Sequence, residues 1–402
     1  MAVEVRVCAP DEVRGAFNGI WHYFGNSATD EDVDRFRPVI PAERIHAAFE
    51  DGQIVGGAGA YLFQTTVPGP RQVTTAGVMG VGVLPTHRRR GALTELMRTQ
   101  LADAHERGEP IATLYASEGG IYGRFGYGLA SLAANIDLPK EQARLRPGLV
   151  HGSARLLESE DEALEVLPEI YDRIQLQTVG MFARTREWWE ARRFYTPPWR
   201  KGAEQMRVVI ELEGRPEAYA LYRLNFGASG LISTTVLDVV EALGTTPEAL
   251  GAVWRYLLEL DWTATIHAEL LPLDHPLFLW LVEPRRMNAT LVEALWVRLV
   301  DVGQALTARG YAGEGRIVFE VRDEVCPWND GIWRLEGGSA SRSDDDPDLR
   351  LDVRELGSAY LGGFTFAQLL RAGKLEELGD GAVDRADSIF RSDAQPWCPE
   401  IF

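Results

Sequence analysis

Three consecutive arginines at the entry to a helix are the first sign of chemistry in this 402-residue chain. They lie in VGVLPTHRRRGAL, residues 81–93. The pattern predicts a strand ending at Val83, a short basic loop, and a helix over residues 91–107. Leu93, Leu96, Met97 and Leu101 fall on one face of that helix. Backbone N–H groups at a helix start lack intrahelical partners and sit at the positive end of the helix dipole. A pyrophosphate suits that position. Gly91 lets the backbone come close, and Arg88, Arg89 and Arg90 can add charge-assisted bonds. The alternative is a basic first turn with no ligand. It fits less well, because three positive charges oppose the dipole there.

A second segment, LYASEGGIYGRFGYG at residues 114–128, carries five glycines among fifteen residues. That density predicts a strand end and a tight loop rather than a helix. Tyr122 and Tyr127 are interleaved with the glycines, and Tyr122 either packs inside this turn or presents a phenol to a reacting group.

These segments need a mixed α/β frame to hold them. Val3, Val5 and Val7 alternate as in a half-buried strand, and Pro10 to Glu12 open a helix through Ala16 and Ile20. Residues 45–49 and 54–63 read as strands joined at Asp51-Gly52, a hairpin signal. Residues 78–83 and 111–115 are strands flanking the 91–107 helix, which Gly108 ends. A linker is expected at residues 145–148. A similar order follows: strands at 207–212, 218–224 and 231–240, a helix at 247–260, and a strand at 265–269. Between the last strand–helix pair, residues 241–246 carry no basic side chain, so no second phosphate cradle is expected. The last ~105 residues form a third α/β unit, with strands at 317–321, 331–335 and 349–353. A polar loop is expected at 339–348, and helices at 356–361 and 366–372. A chain of this length exceeds the ~250–300 residues at which one core stops growing, so two or three domains are expected.

Composition narrows the classes. With 46% hydrophobic and 25% charged residues the chain is an ordinary globular protein. A net charge of −18 argues against nucleic acid, which needs basic surface. It is compatible with a cationic substrate, although simple solubility accounts for it with fewer assumptions. No apolar run reaches the ~18 residues of a membrane span, and no secretory signal opens the sequence. Cys8, Cys326 and Cys398 are far apart and form no C-x-x-C pair. Neither a disulfide framework nor a metal site is therefore expected, and the cytoplasm is the expected compartment, with export lacking a signal left open.

The first motif resembles the R-x-x-G-x-G/A signature of GNAT N-acetyltransferases, with Arg88, Gly91 and Leu93 at the marked positions. Leu93 departs from the small residue found last. Both motifs together, PTHRRRG followed some thirty residues on by ASEGGIYGRFGYG, resemble the enhanced intracellular survival (Eis) family. The resemblance implies a mixed α/β plan of tandem GNAT-like domains followed by a sterol-carrier-protein-like domain. The expected limits are an acetyl-CoA-binding domain at 1–147, a degenerate GNAT-like domain at 148–296, and the third domain at 297–402. It also implies acetylation of aminoglycosides and other amines at several positions, and a homohexamer.

Carried over by residue, the resemblance makes Tyr122 the proton donor to the departing thiolate. The C-terminal carboxylate of Phe402 becomes the proton acceptor. Cofactor contacts fall on Val81, Gly82, Val83, Arg88, Arg89, Arg90, Gly91, Ala92, Leu93, Thr94, Ser117 and Glu118, with the Val83 N–H on the thioester carbonyl. The amine pocket falls on His22, Phe24, Phe36 and Glu400. Asp30, Glu31, Asp32 and Asp34 supply local negative charge or form a solvated loop. Neither motif contains a cysteine, so transfer is expected to be direct, without an acetyl-enzyme. The alternative of another class is a non-catalytic scaffold that binds coenzyme A and a lipid.

Overall fold

The computed structural model describes residues 3–195 and 203–402; Met1 and Ala2, at the start of the stretch inspected for a signal, lie outside the described residues. The chain divides into two compact units. The first comprises Met1–Ser131, Ala294–Pro396 and Ile401–Phe402, and the second Leu132–Glu293 and Trp397–Glu400.

The first unit holds a seven-stranded sheet. Its order is Glu4–Val7, Ile45–Glu50, Gln53–Val67, Arg71–Val83, Ile111–Tyr115, Leu295–Leu299 and Gly128–Leu129. The hairpin expected at Asp51-Gly52 forms, with φ of 52° and 75° at the two turn residues. Positive φ at both positions matches the twist of the flanking strands. Only Arg71–Val83 and Ile111–Tyr115 run parallel in this sheet. They flank helix Ala92–Glu106, which buries Ala92, Leu96, Met97, Leu101 and Ala104. On helix Val13–Tyr23 the backbone itself touches the sheet. A β-carbon on Gly82 would lie 2.4 Å from the Ile20 nitrogen, and one on Gly57 would lie 2.4 Å from the Ala16 carbonyl oxygen. Glycine at these sites permits a contact that any side chain would push apart.

The same unit contains a five-stranded sheet ordered Ser339–Arg342, Gly331–Glu336, Arg316–Arg322, Leu349–Asp352 and Leu375–Glu377. Strand Ser339–Arg342 falls inside the stretch expected to be a polar loop. It pairs with Gly331–Glu336 through a tight turn at Gly337 and Gly338, and its exposed edge position is why its sequence is polar. Helices Phe366–Arg371 and Ala382–Phe390 cover this sheet, with Phe319, Phe366 and Phe390 in mutual ring contact.

The second unit is another seven-stranded sheet. Its order is Thr290–Glu293, Leu132–Pro139, Thr265–Pro272, Val236–Gly244, Arg215–Asn225, Met206–Leu212 and Ser153–Leu156. Helices Glu160–Gln175 and Pro247–Glu259 accompany it.

The compact units differ from the expected limits at 147/148 and 296/297. Leu132–Pro139 pairs with Thr265–Pro272 and so belongs to the second sheet, whereas Leu295–Leu299 pairs with Ile111–Tyr115 in the first. Each sheet thus takes a strand that local sequence assigns to its neighbour. Strand pairing is a choice between distant partners, and a linker-like composition at 145–148 does not reveal it. Among the described residues no helix is long and apolar enough to cross a membrane.

Candidate active site

Strands Arg71–Val83 and Ile111–Tyr115 pair only at Thr75/Ile111, Ala76/Ala112 and Gly77/Thr113. Beyond Gly77 the first strand runs on to Val83, still paired on its other edge as far as Gly56/Val83. The edge that carries Val81, Gly82 and Val83 therefore diverges from Ile111–Tyr115. Backbone groups in such an opening need partners from elsewhere, and an extended amide-bearing chain such as pantetheine can supply them.

After Val83 comes one turn, Pro85–His87, and then the three arginines. Arg89 has φ of 64° and Gly91 of 92°, so two left-handed residues curl the loop into the helix start. No side chain caps helix Ala92–Glu106, whose first residues are Ala92, Leu93 and Thr94. Its leading N–H groups are the donors that a phosphate would take. Arg88 and Arg89 are exposed beside it. Arg90 differs from the expectation that all three arginines meet phosphate. Its guanidinium binds both oxygens of buried Glu50 at 3.0 and 3.1 Å and the Thr86 carbonyl at 3.3 Å. Arg90 therefore fastens the loop to the end of Ile45–Glu50.

Gly91 is required for a reason other than space. A β-carbon there meets no protein atom within 4 Å, but φ of 92° is costly for any side chain. Gly91→Val should strain the loop by about 1–3 kcal/mol or rotate it away from the helix start. We expect a raised KM for acetyl-CoA with little change in the amine KM. Unaltered acetyl-CoA saturation in the folded variant would remove the phosphate reading.

The glycine-rich segment was expected to be a loop, but it folds as one α-turn, Gly119–Tyr122, and one 3₁₀ turn, Gly123–Phe125. Gly126, at φ of 81°, ends it. Single turns tolerate glycine because they need no propagation, and apolar packing of Tyr122, Phe125 and Tyr127 fixes them. The two tyrosines differ in their surroundings. Tyr127 is fully buried and its hydroxyl has no partner, as befits a packing residue. Tyr122 is 7% exposed, and its phenol is pushed up to about 12 by burial and then by the nearby charge of Glu118. It stays protonated at any physiological pH.

Phe402 is docked in the first unit. Its ring meets Phe63 edge-on at 4.9 Å and Tyr115 at 5.5 Å between centroids. Tyr115 ends the strand that leads to Ser117 and Glu118. Both are exposed, and Glu118 Oε1 accepts a hydrogen bond from the Tyr23 hydroxyl at 2.9 Å. Tyr23 closes helix Val13–Tyr23 between two expected pocket residues, His22 and Phe24. His22 Nε2 lies 3.3 Å from Ser27 Oγ, and Phe24 is 60% exposed. Phe36 ends helix Asp30–Phe36 and is half-buried. The acidic run of that helix is neutralised locally: Asp30 pairs with Arg14, Glu31 and Asp32 with Arg35, and Asp34 with Arg37.

Glu400, expected at the amine pocket, is held among buried cations. It lies in the second unit, 4% exposed, and accepts from the Trp188 indole at 3.0 Å. Arg184 is 2.5 Å from it and Arg193 3.7 Å. Arg184 and Arg193 also pair with Glu241 at 2.6 and 3.1 Å. A buried carboxylate is tolerable only with cations and donors around it, and Glu400 has both. Glu241, expected in a loop, stands inside strand Val236–Gly244. Burial opposes its charge, but Arg184 and Arg193 outweigh burial and hold its carboxyl down at about 2. An unfolded glutamate titrates near ~4.3. The folded value is the lower one, so this stabilisation is complete above about pH 4.5. It is lost as the pH falls towards 2. We expect the second unit to loosen over that interval, read by tryptophan fluorescence. Arg184→Met should instead leave buried charge unpaired and cost about 3–5 kcal/mol at neutral pH.

The second unit repeats the strand divergence but supplies the opening differently. Val236–Gly244 and Thr265–Pro272 pair in parallel only from Val236/Thr265 to Val239/Ala268. Beyond that point Trp397 donates its indole N–H to the Leu270 carbonyl and its backbone N–H to the Val179 carbonyl, and packs against the core cluster that includes Tyr219 and Leu243. Helix Pro247–Glu259 is capped by Thr246 on the Ala249 N–H, with Pro247 in its first turn. The donors that would hold a phosphate there are taken or missing.

With this geometry in view, the relatives are informative. Residues 4–130 and 180–299 each match an acetyltransferase (GNAT) domain, and 302–399 match a sterol carrier protein domain. An uncharacterized N-acetyltransferase of Streptomyces avermitilis is 39% identical over the full length of both chains. The N-acetyltransferase Eis of Mycobacterium tuberculosis is 31% identical, with 97% of each chain covered. Among solved structures, Eis1 from Mycobacterium abscessus superposes at a TM-score of 0.86 with 32% identity and full coverage of both chains. A GCN5-related N-acetyltransferase from Anabaena variabilis shares the fold at a TM-score of 0.84 and 21% identity. GNAT domains imply the use of acetyl-CoA. The diverging strands, the uncapped helix start and the match along the whole length of an Eis enzyme converge on one conclusion: the chain is an N-acetyltransferase of the enhanced intracellular survival (Eis) family.

Proposed function

We propose that the first unit transfers acetyl from acetyl-CoA directly to amines of aminoglycosides or other polyamine-like molecules, at several positions. The observation that supports this reading is that the strand opening at Val81 to Val83, the helix start at Gly91 and the turn bearing Tyr122 follow one another along the chain, around two strands adjacent in one sheet. Acetyl-CoA, when bound, supplies the activated acetyl thioester. Arg88, Arg89 and the N–H groups of Ala92, Leu93 and Thr94 hold phosphate. The backbone of Val81, Gly82 and Val83 lines the opening, and the Val83 N–H polarises the thioester carbonyl. Ser117, just after strand Ile111–Tyr115, also contacts the cofactor. The carboxylate of Phe402 takes the proton of the attacking amine, and Tyr122 gives its proton to the departing sulfur. His22, Phe24 and Phe36 border the amine.

The protein acts in the cytoplasm and assembles as a homohexamer in this reading. A non-catalytic scaffold is not favoured, because the full-length relatives are named as N-acetyltransferases. Release of free thiol from acetyl-CoA tests the proposal, screened over aminoglycosides, linear polyamines and monoamines. The filled opening and capped helix of the second unit add a prediction that calorimetric titration checks: one coenzyme A bound per chain. A stoichiometry of two would overturn the assignment of a single cofactor site.

A further inference from the structure

Glu50 ends strand Ile45–Glu50 with its side chain only 7% exposed. A carboxylate is costly to bury, and it repels any phosphate nearby. Its partners account for its place. One guanidinium nitrogen of Arg90 donates to both carboxylate oxygens, at 3.1 and 3.0 Å. The other donates to the Thr86 carbonyl at 3.3 Å. His87 Nε2 lies 3.5 Å from one of the same oxygens, and His87 Nδ1 is 2.8 Å from the Thr86 hydroxyl. A single carboxylate on the sheet thus gathers both ends of the loop that follows Val83. It ties the Arg90 side chain and leaves the Arg90 backbone within the cofactor loop.

Arg90 also stands between the two residues that bend this loop. Arg89 has φ of 64° and Gly91 of 92°. A left-handed arginine is strained, and such strain persists only where the surroundings hold it. The grip on Arg90 is that hold. Helix Ala92–Glu106 starts immediately afterwards without a side-chain cap, so the direction of its leading N–H groups follows from the curl of the loop. We infer that Glu50 is a positioning residue for the cofactor's pyrophosphate, acting through Arg90 to keep Arg88, Arg89 and the helix start in the arrangement that binds phosphate. The inference rests on the proposed role of this loop in holding phosphate. Charge and position act with opposite signs here. Loss of a negative charge near the loop strengthens phosphate binding, whereas release of the curl weakens it. If the competent curl falls to about a tenth of the population, the apparent Kd rises about tenfold.

The test uses the full-length protein with acetyl-CoA and with S-acetylpantetheine, which keeps the thioester arm and lacks the pyrophosphate. Thiol release gives KM and kcat, and calorimetry gives the affinity for coenzyme A. Glu50→Gln should raise the KM for acetyl-CoA and the Kd for coenzyme A about tenfold, with kcat changed less than about twofold. The kcat/KM for S-acetylpantetheine should also change less than about twofold, because that substrate does not use the loop. Glu50→Asp should recover part of the affinity. Arg90→Gln should reproduce the Glu50→Gln effect, and the double variant should be no worse than either single one, since all three break one contact. Unchanged or tighter coenzyme A binding in Glu50→Gln would overturn the inference. So would an equal loss with S-acetylpantetheine, which marks general loosening of the first unit, or additive effects of the two substitutions. Should Glu50→Gln fail to fold, Arg90→Gln carries the test by itself: its side chain is half exposed, and an unaltered KM for acetyl-CoA rejects the role. Failure of the underlying phosphate reading looks different. The wild type would then use acetyl-CoA and S-acetylpantetheine with equal KM, and the inference would fall with that reading.

Discussion

Extending the chain by a few residues beyond Phe402, or deleting Phe402, should remove most of the turnover while acetyl-CoA still binds. A general base contributes roughly 10²–10⁴-fold, which sets the expected fall in kcat. A free α-carboxyl titrates near ~3.3–3.7, so it is ionised at neutral pH and ready to accept a proton. Chain ends usually fray. Here Phe402 instead packs edge-on against Phe63 and Tyr115, on two strands of the seven-stranded sheet of the first unit. Such edge-to-face pairs contribute about 0.5–1.5 kcal/mol each beyond area burial, enough to bias a short tail towards one position. The two variants act differently. The extension keeps the ring and removes the carboxylate at residue 402, whereas the deletion removes both. Loss in both, with acetyl-CoA affinity retained, assigns the base to the terminus. An extended enzyme with normal kcat would show that the base lies elsewhere.

Tyr122→Phe should lower kcat by about 10²-fold, near the bottom of the range for acid catalysis. The physical reason is the weakened acidity of the buried phenol. A phenol at about 12 is a weaker acid than a thiol near ~8.5, so it releases its proton only as charge builds on the sulfur. Burial has another consequence for the pH profile. Tyr122 remains protonated up to about pH 12, so no falling limb below that value should come from it. Phenylalanine keeps the ring packing with Tyr127, and acetyl-CoA binding should be unchanged. Retention of most of kcat would move the donor role to water or another side chain. Tyr127→Phe is the contrast: its hydroxyl has no partner, so removing it should cost little activity and should not destabilise the first unit.

Much of the site was legible because its signals are local. A glycine with φ of 92°, a strand that must stop before a proline, and an amphipathic helix over 92–106 are all written within a few residues of one another. The Asp51-Gly52 hairpin is local in the same sense. The one-turn helices at Gly119 to Phe125 were not legible, since propensity argues against them and only packing around Tyr122 and Tyr127 decides. Arg90 could not be distinguished from Arg88 and Arg89 by sequence. Its partner Glu50 is forty positions away and is brought near by sheet order. The burial of Glu400 was not legible for a related reason. An acidic residue near a chain end reads as exposed, and its burial depends on Arg184 and Arg193 converging from a distant segment. The exchange of Leu132–Pro139 and Leu295–Leu299 between sheets is the largest such effect. Sequence alone determined the residue types, the turns and the helix faces, because those depend on neighbours along the chain. Tertiary structure alone decided which strands pair, which charges are buried together, and which of the three arginines is tied to a carboxylate, because each is a competition among partners far apart in the chain.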